Sequence, residues 1–323
     1  MKAAVLHQLG TLPIYEDFQD PIPRNETELL LHVKAASVKN LDKLRASGQH
    51  YASYTHLPVV VGMDGVGTLE NGTRVYAQGL TGMIAEKALV AHNRYTILPE
   101  RIDDVTAAAL PNAVMGAALA LRFRAKIEKG DTVLINGATG VTGQVAVQIA
   151  RHYGAAKIIA TGRNPHLLQK LTEIGADEVL SLEQEDGTIV EKLKELNAAS
   201  PIGAVIDYLW GHPIELIVDA LKSSGATASV PRVRLVSVGS MAGETIRLDS
   251  GSLRSSVIEL LGSGLGSFTP QEMQKFSTEV LPEMFQLAAD GKLHIGTETA
   301  AFPDIAASWV QKNAPGKRLV ICI

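Results

Sequence analysis

The stretch VLINGATGVTGQ, residues 133–144, decides the fold class of this chain. It places Gly137, Gly140 and Gly143 at the spacing GxxGxxG, directly after an apolar run and before a segment with helical periodicity. Glycines at these points allow a tight turn and a close approach of a pyrophosphate, while N–H groups of the next helix point at the phosphates. The stretch therefore predicts a dinucleotide-binding loop. Its residues are Gly137, Ala138, Thr139, Gly140, Val141, Thr142 and Gly143.

The segments that follow this loop alternate in the way that repeated βα units do. Between residues 132 and 239, apolar runs rich in valine and isoleucine alternate with segments whose apolar residues recur every three or four positions. This alternation predicts an α/β fold, a Rossmann-type doubly wound parallel sheet. The predicted strands cover residues 132–136, 157–161, 178–182, 204–208 and 234–238. The predicted helices cover residues 144–152, 165–174, 188–196 and 213–221.

The residues on either side of this module predict a second domain that is split in the sequence. The chain has 323 residues, more than a single hydrophobic core usually holds. Residues 1–110 contain short apolar runs and glycine turns, such as the one at 71–73, which indicate a mostly β unit. The tail contains one amphipathic helix, predicted over 270–290, and an apolar run at 318–323. A terminal strand this apolar needs a sheet to join, and the first segment is its expected host.

The bulk composition excludes several classes of partner. The formal net charge of -4 and the 20% of charged residues describe a globular protein that weakly repels polyanions, so we expect no nucleic-acid partner. The most apolar stretch, 107–121, is interrupted by Pro111 and Asn112, so we expect no membrane span. The first residues are too polar for a secretory signal, which predicts a cytoplasmic location. The single cysteine, Cys322, excludes an internal disulfide and a multi-cysteine metal site.

The end of the second predicted strand bears on the choice of cofactor. An acidic residue about twenty positions past the glycines ordinarily binds the adenosine ribose of NAD. This chain has Arg163 there, between Gly162 and Asn164, and no acid. A guanidinium can pair with a 2′-phosphate that a carboxylate would repel, so the sequence favours NADPH over NADH. The alternative is that Arg163 lies in solvent at the end of a strand.

Other residues at the carboxyl ends of predicted strands are candidates to line the dinucleotide. In an open α/β sheet, ligands bind outside these ends. The fourth strand runs into Tyr208 and the fifth into Gly239 and Ser240. We therefore expect these three residues at the cofactor site.

The chain as a whole resembles the medium-chain dehydrogenase/reductase superfamily. The motifs that carry the resemblance are GDTVLINGATGVTGQVAVQIARHYGA at 130–155, IGADEVL at 174–180, and KAAVL, LPVVVGMDGVG and RVYA in the first segment. Within the superfamily the chain is similar to the zinc-free quinone oxidoreductase (zeta-crystallin-like) branch. The resemblance implies a GroES-like β domain over residues 1–112 and 268–323, which forms one wall of an active-site cleft. It implies a dinucleotide-binding domain over residues 113–267.

The resemblance also implies a reaction. The zinc alcohol dehydrogenases of the superfamily carry a Gly-His-Glu ligand motif where this chain has Gly62, Met63 and Asp64, and cysteines that this chain lacks. Without a Lewis acid, easily reduced acceptors are favoured. The expected activity is therefore NADPH-dependent reduction of a quinone or an α,β-unsaturated carbonyl, with no metal. By resemblance, Gly262 and Ser263 contact the nicotinamide side of the cofactor and the protein forms a homodimer.

Candidate substrate-binding residues lie in two short stretches. Where family members commonly place an asparagine that points at the substrate, this chain has Lys39, with Asn40 beside it. Either could donate a hydrogen bond to the substrate oxygen that gains charge, or lie on the surface. Family members often place a tyrosine after the next turn, which makes Tyr51 and Tyr54 candidate proton donors. The alternative is that these tyrosines pack against the rim.

Two other functions stay open from sequence alone. The chain could be a specialised enoyl or enal reductase without quinone activity, or an NADPH-binding redox sensor with little turnover. One departure from the family pattern has no functional explanation, since residues 223–235 are longer than the usual turn before the fifth strand.

Overall fold

The computed structural model describes residues 1–50, 52–222 and 232–323, which form two compact units. Unit 1 comprises Met1–Pro111 and Ser277–Ile323, and unit 2 comprises Asn112–Phe276. The sequence predicted domain ends at residues 112 and 267. Most of the long stretch 223–235 lies outside the described residues, and its last residues begin a strand.

The first part of unit 1 is built mainly of antiparallel strands. The strands are β1 (Lys2–Leu6), β2 (Ile14–Asp17), β3 (Glu28–Val38), β4 (Val59–Val60), β5 (Asp64–Leu69), β6 (Arg74–Gly79) and β7 (Lys87–Ile97), with helix α1 (Asn40–Ser47) after β3. Strand β3 pairs with both β5 and β7, so β3, β5, β6 and β7 close into a small barrel. The predicted turn at 71–73 is confirmed: it joins β5 to β6, and the N–H of Gly72 donates to the Leu69 carbonyl at 2.8 Å.

A long apolar helix follows this barrel in the chain. Helix α2 (Asp104–Ala118) continues as a π-helical segment, Leu119–Arg124. The helical stretch Asp104–Arg124 is long and apolar enough to cross a membrane, with a mean hydropathy of 1.4, but 67% of its apolar window is buried inside the protein. Pro111 lies within α2 and does not end it. Such burial is typical of a core helix.

The described residues of unit 2 form a parallel sheet of six strands, which confirms the predicted fold class. Its strands are β8 (Thr132–Asn136), β9 (Lys157–Gly162), β10 (Glu178–Ser181), β11 (Ile202–Asp207), β12 (Val233–Ser237) and β13 (Ile258–Gly262). Its helices are α3 (Val141–His152), α4 (Pro165–Glu173), α5 (Asp186–Ala199), α6 (Gly211–Leu221), α7 (Ser250–Arg254) and α8 (Pro270–Lys275). The five predicted strands and four predicted helices are confirmed, with ends that differ by three residues or fewer.

The strand order of this sheet creates the position where a nucleotide binds in such folds. The order is β10-β9-β8-β11-β12-β13, so successive strands run outward from β8 in one direction and from β11 in the other. Side chains such as Leu134, Ile159, Val205 and Leu235 fill the core of the unit. The carboxyl ends of β8 and β11 meet at the point where the winding reverses, the place at which open α/β sheets bind ligands.

The tail of the chain returns to unit 1. It comprises α9 (Leu281–Ala289), β14 (Thr297–Ala301), α10 (Ile305–Val310) and β15 (Arg318–Cys322). The helix predicted over 270–290 is present as α8 and α9 joined by a π-helical turn, Phe276–Val280. Pro282 explains this turn, because a proline in a helix cannot donate to the preceding turn and crowds it. Strand β15 pairs antiparallel with β3, with Leu319 opposite Val38, which confirms the predicted pairing of the tail.

Candidate dinucleotide site and a buried charge cluster

The glycine loop of unit 2 is hydrogen-bonded to the neighbouring strand, β9. Gly137 follows β8 with φ +83°, in the left-handed region that favours glycine. Its N–H donates to Thr161 Oγ1 at 3.2 Å, and the N–H of Ala138 donates to the Thr161 carbonyl at 2.8 Å. Two hydrogen bonds to β9 therefore hold the start of the loop in place.

The other two glycines have different roles in the loop. A Cβ at Gly143 would lie 2.6 Å from both Ala138 Cα and the Gly137 carbonyl oxygen, so this glycine lets α3 pack against the loop. A Cβ at Gly140 would have only the Gly137 carbonyl oxygen nearby, at 3.5 Å. The space above Gly140 is therefore open, and the backbone at this point can be approached closely by a pyrophosphate.

The start of α3 supplies donors to this open space. Gly140 is the N-cap residue, and Val141, Thr142 and Gly143 form the first turn. Backbone N–H groups in the first turn of a helix have no partner within the helix, and the helix dipole adds positive potential there. The Gln144 side chain donates to the Thr139 carbonyl at 3.1 Å and steadies the loop. These residues fit the phosphates of a dinucleotide.

A buried polar network underlies the loop at the switch point of the sheet. Thr161 Oγ1 donates to Asn136 Oδ1 at 2.6 Å, and Asn136 Nδ2 donates to Asp207 Oδ1 at 2.8 Å, so the network joins β9, β8 and β11. All three side chains are fully buried. Asp207 also accepts the N–H groups of Leu209 and Trp210, both at 3.0 Å. Burial raises the pKa of Asp207, and these donors partly oppose the shift.

Trp210 shows what this network holds in place. Its φ of +54° lies in the left-handed region, which is strained for a residue other than glycine. Asp207 accepts its N–H with both carboxylate oxygens, and its side chain packs against the core of unit 2. The carboxylate therefore fixes the turn between β11 and α6 beside the glycine loop.

The end of β9 places the predicted adenosine contacts together. Gly162 is the last residue of β9, and a Cβ there would collide with the Thr139 side chain. Arg163 follows and is exposed, which agrees with both interpretations of this residue. Asn164 caps α4, because its Oδ1 accepts the N–H of Leu167 at 3.1 Å. The side-chain oxygen of Asn164 is thus used within the protein, and only its amide N–H groups remain as donors.

Two of the residues predicted at the other strand ends, Tyr208 and Ser240, carry hydroxyl groups that are hydrogen-bonded within the protein. Tyr208 follows β11 but is buried, and its hydroxyl donates to the Gly116 carbonyl at 3.1 Å. Burial also raises the pKa of Tyr208. Ser240 Oγ donates to Glu244 Oε1 at 3.0 Å. Both hydroxyls therefore donate within the protein, and the place of these two residues along the dinucleotide stays a prediction.

Three backbone positions remain at this edge of the sheet. Gly239 lies just past β12, and its Cβ would meet the Tyr208 carbonyl oxygen at 2.9 Å. Gly262 ends β13, and a Cβ there would meet no atom within 4 Å. Ser263 is buried and its N–H donates to the Ser237 carbonyl at 2.8 Å. The parallel sheet therefore brings these positions to the same edge as the glycine loop.

Unit 1 contains a buried charge cluster formed by Lys39, Asp42, Asp64, Tyr76 and Arg318. Lys39 caps α1 and is only 3% exposed. Its Nζ donates to Asp64 Oδ1 at 2.5 Å and to the Ser37 carbonyl at 3.0 Å, and lies 3.3 Å from Asp42 Oδ2. An ammonium has three N–H donors, so each has an acceptor in the cluster.

The other members of the Lys39 cluster are satisfied in the same way. Asp42 accepts the backbone N–H groups of Lys39 at 2.9 Å and of Met63 at 3.2 Å. Tyr76 donates to Asp64 Oδ2 at 2.9 Å. Because burial lowers the pKa of Lys39 less than Asp42 and Asp64 raise it, the net shift is upward. Burial likewise lowers the pKa of Arg318, whereas Asp42 and Asp64 oppose the shift.

This cluster corrects the expectations for Lys39. Lys39 is not a surface residue, and its amine donates to the protein, so no N–H is left for a substrate oxygen. Asn40, the first residue of α1, is exposed. The Tyr54 hydroxyl is buried without a hydrogen-bond partner among the described residues, and burial raises its pKa. Tyr51 lies outside the described residues.

The residues that support the glycine loop and those that surround Lys39 were not predicted from the sequence. In unit 2 these are Asn136, Thr161 and Asp207, each a polar residue at the end of an apolar strand. That pattern is visible in the sequence and could have identified them. In unit 1 the missed residues are Asp42, Asp64, Tyr76 and Arg318, which come from four separate elements. Within residues 1–50, 52–222 and 232–323, no group of three or more His, Cys, Asp or Glu side chains could hold a metal ion.

Comparisons with known proteins agree with this architecture. Residues 141–283 match the family described as zinc-binding dehydrogenase. A probable NADPH-dependent quinone reductase of Emericella nidulans is 29% identical over 96% of this chain and 96% of its own. Human quinone oxidoreductase is 28% identical over 86% of this chain and 84% of its own. The quinone oxidoreductase of Thermus thermophilus, with crystal structures that include its NADPH complex, has a TM-score of 0.78 and 25% identity, with full coverage of both chains.

The parallel sheet, the glycine loop at its switch point and these relatives define an enzyme of the oxidoreductase class. The matched family model and these relatives indicate the medium-chain dehydrogenase/reductase superfamily, in its quinone oxidoreductase branch.

Proposed function

We propose that this protein is a zinc-independent, NADPH-dependent oxidoreductase that transfers hydride to a quinone or an α,β-unsaturated carbonyl. The observation that carries the proposal is the glycine loop of unit 2. Its backbone is open above Gly140, the first turn of α3 supplies N–H donors, and Arg163 stands where an NAD-binding site has an acid. A bound nicotinamide would supply the hydride.

The residues of the glycine loop hold the pyrophosphate in this proposal. The N–H groups of Val141, Thr142 and Gly143 donate to phosphate oxygens, and the helix dipole attracts the charge. The network beneath the loop keeps these donors oriented before the ligand arrives, which lowers the entropic cost of binding.

The end of β9 selects the phosphorylated cofactor. Arg163 is exposed and can form a charge-assisted pair with a 2′-phosphate, while the Asn164 amide offers a neutral donor. Gly162 lets the Thr139 side chain of the glycine loop pack against the end of β9. Gly239, Gly262 and Ser263 line the site further along the same edge of the sheet.

The proposed substrate class follows from the metal-ligating residues that this chain lacks. The sequence has one cysteine and has Met63 where zinc-dependent relatives have a histidine, so the acceptor has to be reduced without a Lewis acid. Quinones and enals meet this condition because hydride addition yields a stabilised oxyanion. We assign the hydrogen bond to that oxygen to Asn40, which is exposed, with Tyr51 and Tyr54 as further candidates for proton delivery.

The relatives support this proposal through what they are named to do. The Emericella nidulans relative is a probable NADPH-dependent quinone reductase, and the Thermus thermophilus relative has a structure in complex with NADPH. Both matches extend over nearly the whole of this chain.

A homodimer is part of the proposal. Strand β13 is at the edge of the parallel sheet, and Val257 and Leu260 beside and within it are 46% and 40% exposed. Pairing of β13 with its copy would cover this apolar edge. Light scattering on the purified protein tests this directly, and a monomer at micromolar concentration contradicts it.

The test of the function is NADPH consumption by chelator-treated protein. A simple para-quinone and a medium-chain 2-enal are the two acceptors, and NADH is the comparison cofactor. We expect turnover with NADPH and at least one acceptor, and the preferred acceptor separates a quinone reductase from a specialised enal reductase. Tight NADPH binding without turnover on either acceptor would favour the redox sensor instead.

A further inference from the structure

The Lys39 cluster is the place in unit 1 where a cation is needed. Asp42 is fully buried and Asp64 is 7% exposed, so their two charges require compensation inside the protein. The matched family is described as zinc-binding, which raises the question of whether a metal ion supplies that compensation. The answer depends on the donors that the cluster presents.

The donor set of the cluster does not fit a metal ion. Carboxylate oxygens bind zinc at about 2.0–2.2 Å. Here the space between Asp64 Oδ1 and Asp42 Oδ2 holds the Lys39 ammonium, 2.5 Å from the first oxygen and 3.3 Å from the second. A protonated amine has no lone pair to offer a metal, and a dication beside it would meet a like charge. The Arg318 guanidinium adds a second positive charge that interacts electrostatically with both carboxylates.

We propose that Lys39 is the resident cation of this cluster, and that its ammonium stands between Asp42 and Asp64 in the place a divalent metal would have to occupy. The proposal rests on the proposed function for its zinc independence and supplies a physical reason for it. Removing the amine opens a pair of carboxylates that a transition metal can bind.

Three observations support the assignment. Every N–H of the ammonium has an acceptor within the protein, so the cation is fully paired where it lies. The remaining oxygens of the two carboxylates accept from Met63 and Tyr76, so no further ligand is required. Lys34, on strand β3 five residues before Lys39, is exposed, whereas Lys39 is buried beside the carboxylates.

The test compares Lys39→Cys with the wild type and with the matched surface variant Lys34→Cys. A thiolate at position 39 next to two carboxylates is a donor set that binds zinc and cobalt. Each metal-free protein is dialysed against Co²⁺ or Zn²⁺ and the retained metal is counted. We expect Lys39→Cys to retain about one equivalent more than the wild type, with a thiolate-to-cobalt absorption band that Lys34→Cys lacks. Equal retention by a folded Lys39→Cys overturns the proposal.

A second measurement on the wild type decides the matter if Lys39→Cys does not fold. The melting temperature of the wild type is recorded with a chelator and with Zn²⁺, and compared with that of Asp64→Asn. No zinc-dependent rise supports a filled cluster. A rise that Asp64→Asn abolishes shows a metal in the wild-type cluster and overturns the proposal.

The two proposals fail separately. Turnover of the chelated wild type tests the oxidoreductase function, whereas retained metal tests the role of Lys39. Absent turnover with no retained metal contradicts only the function. Retained zinc at Asp64 together with chelator-insensitive turnover contradicts only the role of Lys39.

Discussion

The glycine loop of unit 2 and the Lys39 cluster of unit 1 both bring polar groups from several elements together, but the availability of these groups to a ligand differs. In the loop, first-turn N–H groups, the open space at Gly140 and the exposed Arg163 remain available. In the cluster, the lysine, both aspartates and Tyr76 are bonded to one another and buried.

This difference separates a place that binds a ligand from one that stabilises the fold. A ligand gains affinity from donors that are oriented but not yet bonded. Buried groups that are already paired have nothing to give a ligand, although losing one of them is costly. Substitutions of Arg163 and Gly140, which face open space, should therefore lower cofactor affinity with little loss of stability, and substitutions in the Lys39 cluster should lower stability.

The largest expected effect is on stability, from Lys39→Ala. It leaves two buried carboxylates without their main cation, and breaking a buried pair in this way costs about 3–5 kcal/mol of unfolding free energy. Urea denaturation measures the loss, and the exposed Lys34→Ala should stay within about 0.5 kcal/mol of the wild type. Similar results for the two lysines would show that the cluster does not carry the stability assigned to it.

Arg163→Ala should have the next largest effect, this time on affinity alone. Loss of a charge-assisted pair with the 2′-phosphate costs about 1.5–3 kcal/mol, roughly a tenfold to hundredfold weaker NADPH affinity. Affinity for NADH should not change, because NADH lacks that phosphate. Fluorescence titration with both cofactors measures this. Lys170→Ala, an exposed residue of α4, is the matched control. Equal weakening for NADPH and NADH removes Arg163 from cofactor selection.

Gly140→Ala tests the open space itself. The backbone at this position, φ -71° and ψ 163°, suits alanine, and the nearest atom to the new methyl group lies at 3.5 Å. The melting temperature should therefore stay close to that of the wild type. The methyl group would intrude on the pyrophosphate, at a cost of about 1–3 kcal/mol in NADPH affinity. Gly143→Ala is the contrasting variant, because its Cβ meets backbone at 2.6 Å and should lower stability as well.

The smallest effect should come from Asp207→Asn. The amide oxygen can still accept from Asn136 and from the N–H of Leu209, but the amide NH₂ then faces the N–H of Trp210. Loss of that hydrogen bond should lower the free energy of unfolding by about 1 kcal/mol. The stability of the wild type should also depend on pH through the ionisation of Asp207. The pKa of Asp207 is raised in the folded state, so the wild type loses stability as pH rises from the unfolded value of about 3.9 through the raised folded value.

The cost of Asp207→Asn should therefore shrink over that interval and stay constant above it. Melting temperatures of both proteins between acidic and neutral pH measure this. A cost that grows as pH rises would mean that the carboxylate is stabilised by its charge, in the manner of the Lys39 cluster.

The parts of the fold that were predicted correctly depend on neighbours in the sequence. Strand β8 was predicted over 132–136 and the structure has Thr132–Asn136, because a short run of β-branched and apolar residues followed by glycine is a local signal. The start of α4 at Pro165 was equally local, since Asn164 and Pro165 form a cap. The tail strand was predicted from its apolarity and found its partner in β3.

The role of Lys39 could not be predicted in this way. Its contact with Asp64 joins residues 25 positions apart, and Arg318 comes from the far end of the chain. Nothing next to Lys39 in sequence indicates that its amine is buried. The same holds for Tyr208, whose hydroxyl bond to Gly116 crosses 92 positions.

The sequence by itself determined the α/β class, the βα units and the glycine loop, because periodicity, caps and turns act over a few residues. Only the tertiary structure decided which polar groups are still available to a ligand. A hydrogen bond or ion pair between distant segments leaves a donor unavailable to a ligand, but the residues next to that donor in the sequence do not indicate it. That is why the sequence left Lys39 open between a substrate contact and a surface residue, whereas in the fold it is part of the buried scaffold.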